Sequence, residues 1–355
     1  MRLIGRRKKR RTLLGVDIGS ASVKVLELSE SNGNHCVESY AIEAMPPDAV
    51  VNGNISDIGG VGEALKRVCA RSGSRACRAV AAVAETSVIA RTIALDASLS
   101  DQGILEHIAA DADRYVPYPL DEVSMDFEVR GLSEEHPERA EVLLVACRRS
   151  DVDRLCRVLR GAGLEPAVVE PEAQAVERVF ELLEPRFDRQ VGEVVMAMAN
   201  AGAMATSLWV LVDGRVVFSR AQALGHRRIA DAIQECRSLS NQEAPGAARE
   251  GHPTLDLDES VARPFIEETT RHLSRSLRFF CTSTHYSDVD RILLIGGAAA
   301  VRGLPEALQN ALQAPTVLSD PFAGMALSSR VDAAKLAADA PALALCCGLA
   351  TRSAR

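Results

Sequence analysis

The stretch from Leu13 to Leu28, LLGVDIGSASVKVLEL, constrains the fold more than any other part of this chain. Two apolar runs flank a short turn, which predicts a β-hairpin with polar groups at its tip. The turn residues are Gly19, Ser20 and Ser22. Glycine lets backbone N–H groups approach an anion closely, and Lys24 adds a positive charge. A phosphate fits such a turn, and Asp17 is placed to hold a hydrated magnesium ion. An ordinary hairpin turn is the alternative.

The second half of the chain opens in the same way. Apolar runs at 194–199 and 207–212 flank a glycine-containing turn, Asn200–Ala203, and an Asp-Gly turn then leads to a third strand candidate, Arg215–Arg220. The first half also has a third strand candidate, Cys36–Ile42, before its first helix. The repeated order of strand, glycine turn, strand, turn, strand and helix indicates an internal duplication.

A third glycine turn follows a buried strand late in the chain. The apolar run Ile292–Ile295 ends at Gly296 and Gly297 and precedes a helix at about 304–312. Glycine at a strand end before a helix places backbone donors at a ligand site. A Gly-Gly pair alone is a weak signal, but its position in the second half supports a shared site.

The segment 86–162 forms a self-contained module. Its predicted elements follow the order strand, helix, strand, strand, helix, which is typical of a small α+β domain. They lie at 88–95, 100–115, 124–130, 141–147 and 150–160. A strand at 167–169 follows the module and leads through Glu170-Pro171-Glu172 into a helix that ends near Leu183.

Composition limits the class of protein. A length of 355 residues is too great for one compact core and predicts two lobes or several domains. The hydrophobic fraction of 47% and the charged fraction of 25% are those of a soluble globular protein. The net charge of −7 argues against nucleic-acid binding. No stretch approaches the roughly eighteen uncharged apolar residues of a membrane span, and no signal-peptide pattern occurs. We therefore expect a cytoplasmic location.

The amino terminus departs from this acidic balance. Residues Arg6–Arg11 are all basic, which fits either a solvated tail or a weak contact with anionic lipid head groups. The nine cysteines are odd in number and contain no C-x-x-C pair, and the seven histidines show no H-x-x-x-H spacing. We therefore expect neither a disulfide framework nor a metal cluster.

Six longer motifs carry a resemblance to a known family. They are DIGSASVKVLELS from Asp17, ADRYVPYPLDEVSMDFEV at 112–129, EVLLVACRRSDVD at 141–153, ILLIGGAAAVRGLPEAL at 292–308, DPFAGMALSSRVD from Asp320 and DAPALALCCGLA from Asp339. Together they resemble the type IV pilus assembly protein PilM family over nearly the whole chain. The Y-x-P-Y-P and DPF-x-GM pieces are far more specific than the glycine turns.

The resemblance implies an α/β fold of the actin-like class. This is a ribonuclease-H-like, duplicated, two-lobe nucleotide-binding fold, here with an inserted α+β subdomain like that of the cell-division protein FtsA. The chain then divides into a basic tail, a first-lobe core, the inserted subdomain, a first-lobe crossover, a second lobe and a carboxyl-terminal helix that returns to the first lobe. The corresponding residues are 1–12, 13–85, 86–162, 163–190, 191–336 and 337–355.

The resemblance also implies partners. Members of this family lie on the cytoplasmic face of the inner membrane and hold the amino-terminal cytoplasmic tail of the membrane protein PilN. Other platform and motor components of the pilus machine are further expected partners, homo-oligomerisation stays open, and no nucleic acid is expected. In the family the tail occupies a groove between the first-lobe core and the inserted module. Tyr115, Pro117 and Tyr118 stand at the end of the module's first helix, and they either line that groove or pack the junction.

The family's nucleotide site, for ATP and Mg²⁺, is matched unevenly. The matching positions are Asp17, Gly19, Ser20, Ser22, Lys24, Asn200, Gly202, Ala203, Gly225, Gly296 and Gly297, with Asp17 holding Mg²⁺ through water. The second loop should read D-I-G-A, but Asn200 replaces the acid. Gly225-His226 replaces a Gly-Gly pair, and Pro245 and Ala248 stand where many relatives have a glutamate and a lysine facing the ribose and base.

These departures predict weak or lost ATP binding and negligible turnover, because loss of an outer-shell acid costs about ten- to a hundred-fold in metal affinity or activity. Glu170 or Glu172 could orient the attacking water, or either could be a plain partner of a helix dipole. The favoured function is a structural adaptor of the pilus machine. The alternatives are a small-molecule kinase of the same fold, for which no catalytic-base motif occurs, and an FtsA-like polymerising membrane-associated ATPase. The latter would need an amphipathic carboxyl-terminal helix, and the terminal residues are too few and too polar for one.

Overall fold

The computed structural model describes residues 12–133, 136–187, 193–224, 227–240 and 255–352. The chain divides into two units, one of residues 1–86 and 158–355 and the other of residues 87–157. Some positions named from the sequence lie outside the described residues. These are the basic run Arg6–Arg11, Gly225, His226, Pro245 and Ala248.

The elements are numbered in chain order. The strands are β1 (Leu14–Ile18), β2 (Ser22–Ser31), β3 (Asn34–Ala44), β4 (Val50–Val51), β5 (Asn54–Ile55), β6 (Arg78–Val83), β7 (Val88–Asp96), β8 (Val123–Leu132), β9 (Arg139–Arg148), β10 (Glu165–Pro171), β11 (Val195–Ala201), β12 (Ala205–Val212), β13 (Arg215–Ala223), β14 (Arg291–Ile295), β15 (Thr316–Leu318) and β16 (Ala326–Leu327). The helices are α1 (Ile58–Ser72), α2 (Asp101–Ala110), α3 (Ala112–Tyr115), α4 (Arg149–Gly161), α5 (Glu172–Leu183), α6 (Arg227–Ser240), α7 (Glu259–Ser283), α8 (Leu304–Leu312) and α9 (Ala333–Ala350).

The first lobe of the larger unit is built on a six-stranded mixed sheet in the order β10-β6-β1-β2-β3-β16. Strands β1, β2 and β3 form an antiparallel meander, and β6 and β10 add in parallel on the other side of β1. Leu14 and Val16 are fully buried because β1 lies at the centre of the sheet. The apolar run therefore delivers Asp17 to the carboxyl end of a central strand.

The second lobe repeats this sheet. Its order is β13-β12-β11-β14-β15, with an antiparallel meander of β11, β12 and β13 and with β14 and β15 added in parallel. Strand for strand, this is the pattern of β3, β2, β1, β6 and β10 in the first lobe. The internal duplication predicted from the sequence is confirmed.

Helices α5 and α9 pack between the two sheets. Their buried faces meet Val80 of the first sheet and the strand residues Met198 and Trp209 of the second in one apolar cluster. Full burial of each large apolar side chain stabilises the fold by about 1.5–3 kcal/mol. The two helices cross closely at Gly348, where a Cβ would lie 2.1 Å from the Ala175 carbonyl oxygen.

Helix α9 is rich in apolar residues. Among the described residues it is the one helix long and apolar enough to cross a membrane by length and composition. Its charged residues are Lys335 and Asp339. However, most of α9 is buried inside the protein. The helix is a core element of the lobes, and this burial accounts for its composition.

Local signals account for most element ends. Asp57 caps α1 by accepting from the Gly60 N–H, and Gly73 ends it in the left-handed conformation with φ of 63°. The helix predicted at 100–115 breaks at Asp111 into α2 and the short α3. The small hairpin of β4 and β5 was not predicted. Its tip, Asn52-Gly53, has positive φ at both residues, as a two-residue turn of type I′ requires.

The second unit is a three-stranded antiparallel sheet in the order β7-β9-β8. Ile104 and Ile108 of α2 pack against Leu95, Val142 and Leu144 on one face of this sheet. Strand β9 lies in the middle and pairs with both neighbours along most of its length. The predicted order of strand, helix, strand, strand, helix is observed, with α4 extending past the end of the unit.

Candidate functional site

Asp17 and Lys24 meet at the tip of the first hairpin. They are cross-strand partners in β1 and β2, and Lys24 Nζ donates to Asp17 Oδ2 at 2.9 Å. The side chains are 16% and 8% exposed, respectively. The Gly19 N–H donates to the Ser22 carbonyl at 3.0 Å and closes the turn. The tip thus presents a short glycine turn beside a largely buried ion pair.

The second hairpin closes in the same way. The Gly202 N–H donates to the Ala205 carbonyl at 3.0 Å, the counterpart of the bond from Gly19 to Ser22. Glycine is required because a Cβ on Gly202 would lie 2.5 Å from that carbonyl oxygen. Asn200 precedes Gly202 by two residues, as Asp17 precedes Gly19. The hairpins are therefore equivalent in backbone and differ in charge, since one carries an acid and the other a neutral amide.

The third glycine turn packs directly on the second hairpin. Gly296 has φ of 104°, and a Cβ there would lie 2.2 Å from Asn200 Oδ1 and 2.6 Å from the Ala201 carbonyl oxygen. The Gly296 N–H donates to the carbonyl of Pro341 in α9 at 2.7 Å. A left-handed backbone this close to its neighbours admits only glycine.

The three turns line one cavity between the lobes. Its volume is about 110 Å³, and its wall contains nearly all the nucleotide-binding positions named from the sequence: Asp17, Gly19, Ser20, Ser22, Lys24, Asn200, Gly202, Ala203, Gly296 and Gly297. A second cavity of about 530 Å³ shares Ser22, Gly296 and Gly297 with the first. Small-molecule sites usually occupy about 300–1,000 Å³, so the two cavities together have the size of a ligand cleft.

Glu172, the first residue of α5, lines the smaller cavity. Its pKa is raised to about 8, chiefly by desolvation and next by the nearby Glu85 carboxyl. The Glu85 N–H donates to Glu172 Oε2 at 3.1 Å and fixes the side chain. Glu85 is itself buried, which raises its pKa as well. At neutral pH the wall beside Asp17 therefore carries a mostly protonated carboxyl group.

Glu170 lies elsewhere. It is the last but one residue of β10 and does not line either cavity. Its carboxylate pairs with Arg178, and Arg352 approaches it at 3.2 Å. Arg178 also donates to the Gly348 carbonyl at 2.7 Å, which ties α5 to α9. Of the two candidate acids, Glu172 faces the cavity and Glu170 anchors the carboxyl-terminal helix.

Sequence reasoning missed two polar residues of the cleft. Glu85 lies two residues after the last residue of β6, and its position beyond the end of a buried strand could have marked it. Gln234 of α6 lines the larger cavity and donates to two carbonyls of the first lobe, Ala21 and Met45. No local signal distinguishes Gln234, because its partners lie about two hundred residues away in the chain.

The aromatic candidates in the second unit contribute to its packing. Tyr115 and Tyr118 are partly buried and pack against a small cluster of Val116, Val123 and Ala146. The Arg148 guanidinium lies over the Tyr118 ring at 4.5 Å from its centroid. Pro117, between them in the chain, is exposed. A binding role for these three residues stays a prediction.

The cleft suits phosphate better than it suits a metal. Glycine turns supply backbone donors, and Lys24 supplies a cation. Among the described residues, no group of three or more His, Cys, Asp or Glu side chains could hold a metal ion. Mg²⁺ brought by a nucleotide would meet Asp17 on the first hairpin and the uncharged Asn200 on the second, with phosphates and water supplying its other ligands.

Three solved structures match nearly the whole chain. A structure described as a PilM-PilN type IV pilus biogenesis complex matches with a TM-score of 0.77 and 25% identity, over 98% of this chain and 99% of that chain. The ethanolamine utilization protein EutJ from Carboxydothermus hydrogenoformans matches at 0.47 and 13%, over 95% and 88%. MreB5 of Spiroplasma citri bound to ADP matches at 0.47 and 12%, over 96% and 95%.

The duplicated sheets, the equivalent glycine hairpins and the shared cleft define a protein of the actin-like ATPase fold. The α/β fold class expected from the sequence is thereby confirmed. A family model for the type IV pilus assembly protein PilM matches residues 15–354. The chain belongs to the PilM family.

Proposed function

We propose that this protein is an actin-like adaptor of type IV pilus assembly that binds the amino-terminal cytoplasmic tail of a PilN protein. Membership of the PilM family and the similarity to a PilM-PilN complex over 98% of the chain support the partner. In this proposal the protein lies on the cytoplasmic face of the inner membrane, held there by PilN. Other platform and motor components of the machine are its further partners.

The difference in charge between the two hairpins favours a scaffold over an active ATPase. Asp17 is already paired with Lys24 at 2.9 Å, and the equivalent position of the second hairpin is the neutral Asn200. Glu172, at the cavity wall, has a pKa of about 8 and is mostly uncharged at neutral pH. The smaller cavity between the hairpins therefore offers little negative charge to a magnesium ion, and the cation that it offers to a triphosphate, Lys24, is already engaged by Asp17.

ATP with Mg²⁺ therefore binds weakly in this proposal, with negligible turnover. The backbone of the glycine turns and Lys24 would hold the phosphates, and Asp17 would hold Mg²⁺ through water. The metal, when bound, neutralises phosphate charge. Glu172 is the better placed of the two acids to orient a water molecule, because Glu170 is engaged with two arginines.

The partner is tested with the full chain and a peptide of the amino-terminal cytoplasmic tail of PilN from the same organism. Calorimetry without nucleotide should show binding, and Tyr118→Ala should weaken it if the aromatic residues line the groove. Phe279→Ala is the matched control, since Phe279 is an exposed aromatic side chain of the second lobe. Failure of the wild-type protein to bind the tail would refute the adaptor proposal.

Turnover is tested separately by steady-state phosphate release in the presence of Mg²⁺ and ATP. We expect no release above that of a sample without protein. Release of more than a few phosphates per minute, abolished by Asp17→Ala, would show an active ATPase and contradict the proposal. Tail binding measured on the same preparation shows whether the protein is folded.

A further inference from the structure

The side chain of Gln234 crosses the cleft from the second lobe to the first. Its Nε2 donates to the Ala21 carbonyl at 2.8 Å and to the Met45 carbonyl at 3.1 Å. Gln234 belongs to α6, whose residues Ile229 and Ile233 are part of the second-lobe core. Ala21 lies in the first phosphate-type turn, and Met45 follows β3. One amide nitrogen thus connects three elements of two lobes.

The chemistry of this contact is specific to an amide. An amide nitrogen has two hydrogens, and here two carbonyls accept them. The Ala21 carbonyl also accepts from the Met45 N–H at 3.0 Å, so it is shared by both lobes. Met45 is 2% exposed and Gln234 is partly buried, which limits replacement of these bonds by water. A carboxylate at this position could not donate a hydrogen bond, and its acceptor oxygens would face the acceptor carbonyls of Ala21 and Met45.

The contact lies beside both cavities of the cleft. Gln234 and Ile233 line the larger cavity, and Ile233 also lines the smaller one beside Gly19 and Lys24. Ala21 packs against the second-lobe core, so the turn that closes with the Gly19 bond is held from both sides. Loss of the Gln234 contact would free the turn on the side that faces α6.

We propose that Gln234 is an interlobe latch. It is a positioning residue that holds the first phosphate-type turn against α6 and keeps the cleft closed around its ligand. The ligand is an anion with phosphate groups, and this part rests on the proposed nucleotide cleft. The latch itself is a property of the protein alone and is tested without ligand.

The first experiment measures amide hydrogen exchange of the unliganded full chain. Gln234→Leu keeps the size of the side chain and removes both donors, and Gln234→Glu reverses the hydrogen-bonding role. We expect the Met45 and Gly19 amides to exchange about tenfold faster in both variants, as for loss of one or two neutral hydrogen bonds. Exchange at Gly202, in the hairpin that the latch does not touch, should not change. Gln222→Leu, an exposed residue of β13, is the control. Unchanged exchange at Met45 and Gly19 would overturn the proposal.

The second experiment measures dissociation of a fluorescent ATP analogue with Mg²⁺. In Gln234→Leu we expect both association and dissociation about tenfold faster than in the wild-type protein, because an open cleft admits and releases its ligand more easily. Faster amide exchange with unchanged dissociation would refute the gating role of the latch. If the wild-type protein binds no nucleotide, the nucleotide part of the proposed function fails. Amide exchange alone then tests whether Gln234 holds the two lobes together.

Discussion

Replacing Glu172 with glutamine should make the protein more stable at alkaline pH and leave its stability nearly unchanged at acid pH. The folded-state pKa of Glu172 is about 8, against an ordinary value of 4.5, chiefly because of desolvation at the cavity wall. Between these values the folded protein keeps a proton that the unfolded chain has released. Stability therefore falls as pH rises through this window.

The magnitude follows from the width of the window. Each pH unit between the two pKa values changes the free energy of unfolding by about 1.4 kcal/mol, so the whole window is worth at most about 5 kcal/mol. The partial exposure of Glu172 in the cavity makes this an upper limit. Glutamine mimics the protonated acid in shape and can still accept from the Glu85 N–H. The variant should gain nothing below pH 4.5 and gain increasingly up to pH 8.

The assay is urea unfolding followed by the fluorescence of Trp209 at several pH values between 5 and 9. Trp209 is the single tryptophan of the chain and is fully buried in the second lobe, so its emission reports loss of the larger unit. At each pH, the free energy of unfolding of the wild type is subtracted from that of the variant. This subtraction removes the contributions of the other titrating groups that the substitution does not disturb. A constant difference across this pH range would refute the reasoning.

Three further predictions concern the hairpins and the helix that ties the lobes. Asn200→Asp should raise the affinity for Mg²⁺ and ATP about ten- to a hundred-fold in calorimetry by restoring the second acid, whereas Asn200→Ala should bring no gain. Glu170→Gln should lower the free energy of unfolding by about 3 kcal/mol in urea, since it leaves Arg178 without its carboxylate; wild-type stability would contradict an anchoring role. Gly348→Ala should cost about 3 kcal/mol in the same assay, because its Cβ would lie 2.1 Å from a backbone oxygen of α5. Gly62→Ala, a helical position with open space around it, should instead stabilise by up to about 1 kcal/mol, and equal effects at both glycines would show the steric argument wrong.

Local sequence patterns were sufficient to predict the hairpins. The apolar runs around Gly19 and Gly202 and the strand that follows each hairpin lie within about thirty residues of one another, so they could be recognised without tertiary information. The strand before Gly296 was predicted for the same reason. The small strands β4, β5, β15 and β16 were not predicted, because two or three residues carry no periodic pattern.

The roles of Glu170 and Glu172 could not be separated from the sequence. Both were placed at the start of a helix, where either could meet a ligand or a helix dipole. In the structure β10 continues to Pro171, so Glu170 keeps the orientation of a strand residue and Glu172 begins α5. The end of β10 lies two residues later than the strand end predicted from the sequence, and this difference decides which acid faces the cavity. Gln234 was missed because its partners are distant in the chain.

The glycine turns are weaker evidence for nucleotide binding than their sequence suggests. A Cβ on Gly202 or Gly296 would collide with the protein's own backbone, so packing requires these glycines whether or not a phosphate ever binds. The fold can therefore keep its phosphate-binding motifs after the chemistry is lost. Charged side chains are different, since no packing contact requires an acid at position 200. For this reason Asn200 says more about the activity of the cleft than the glycines around it, and it favours a scaffold that retains the shape of an ATPase.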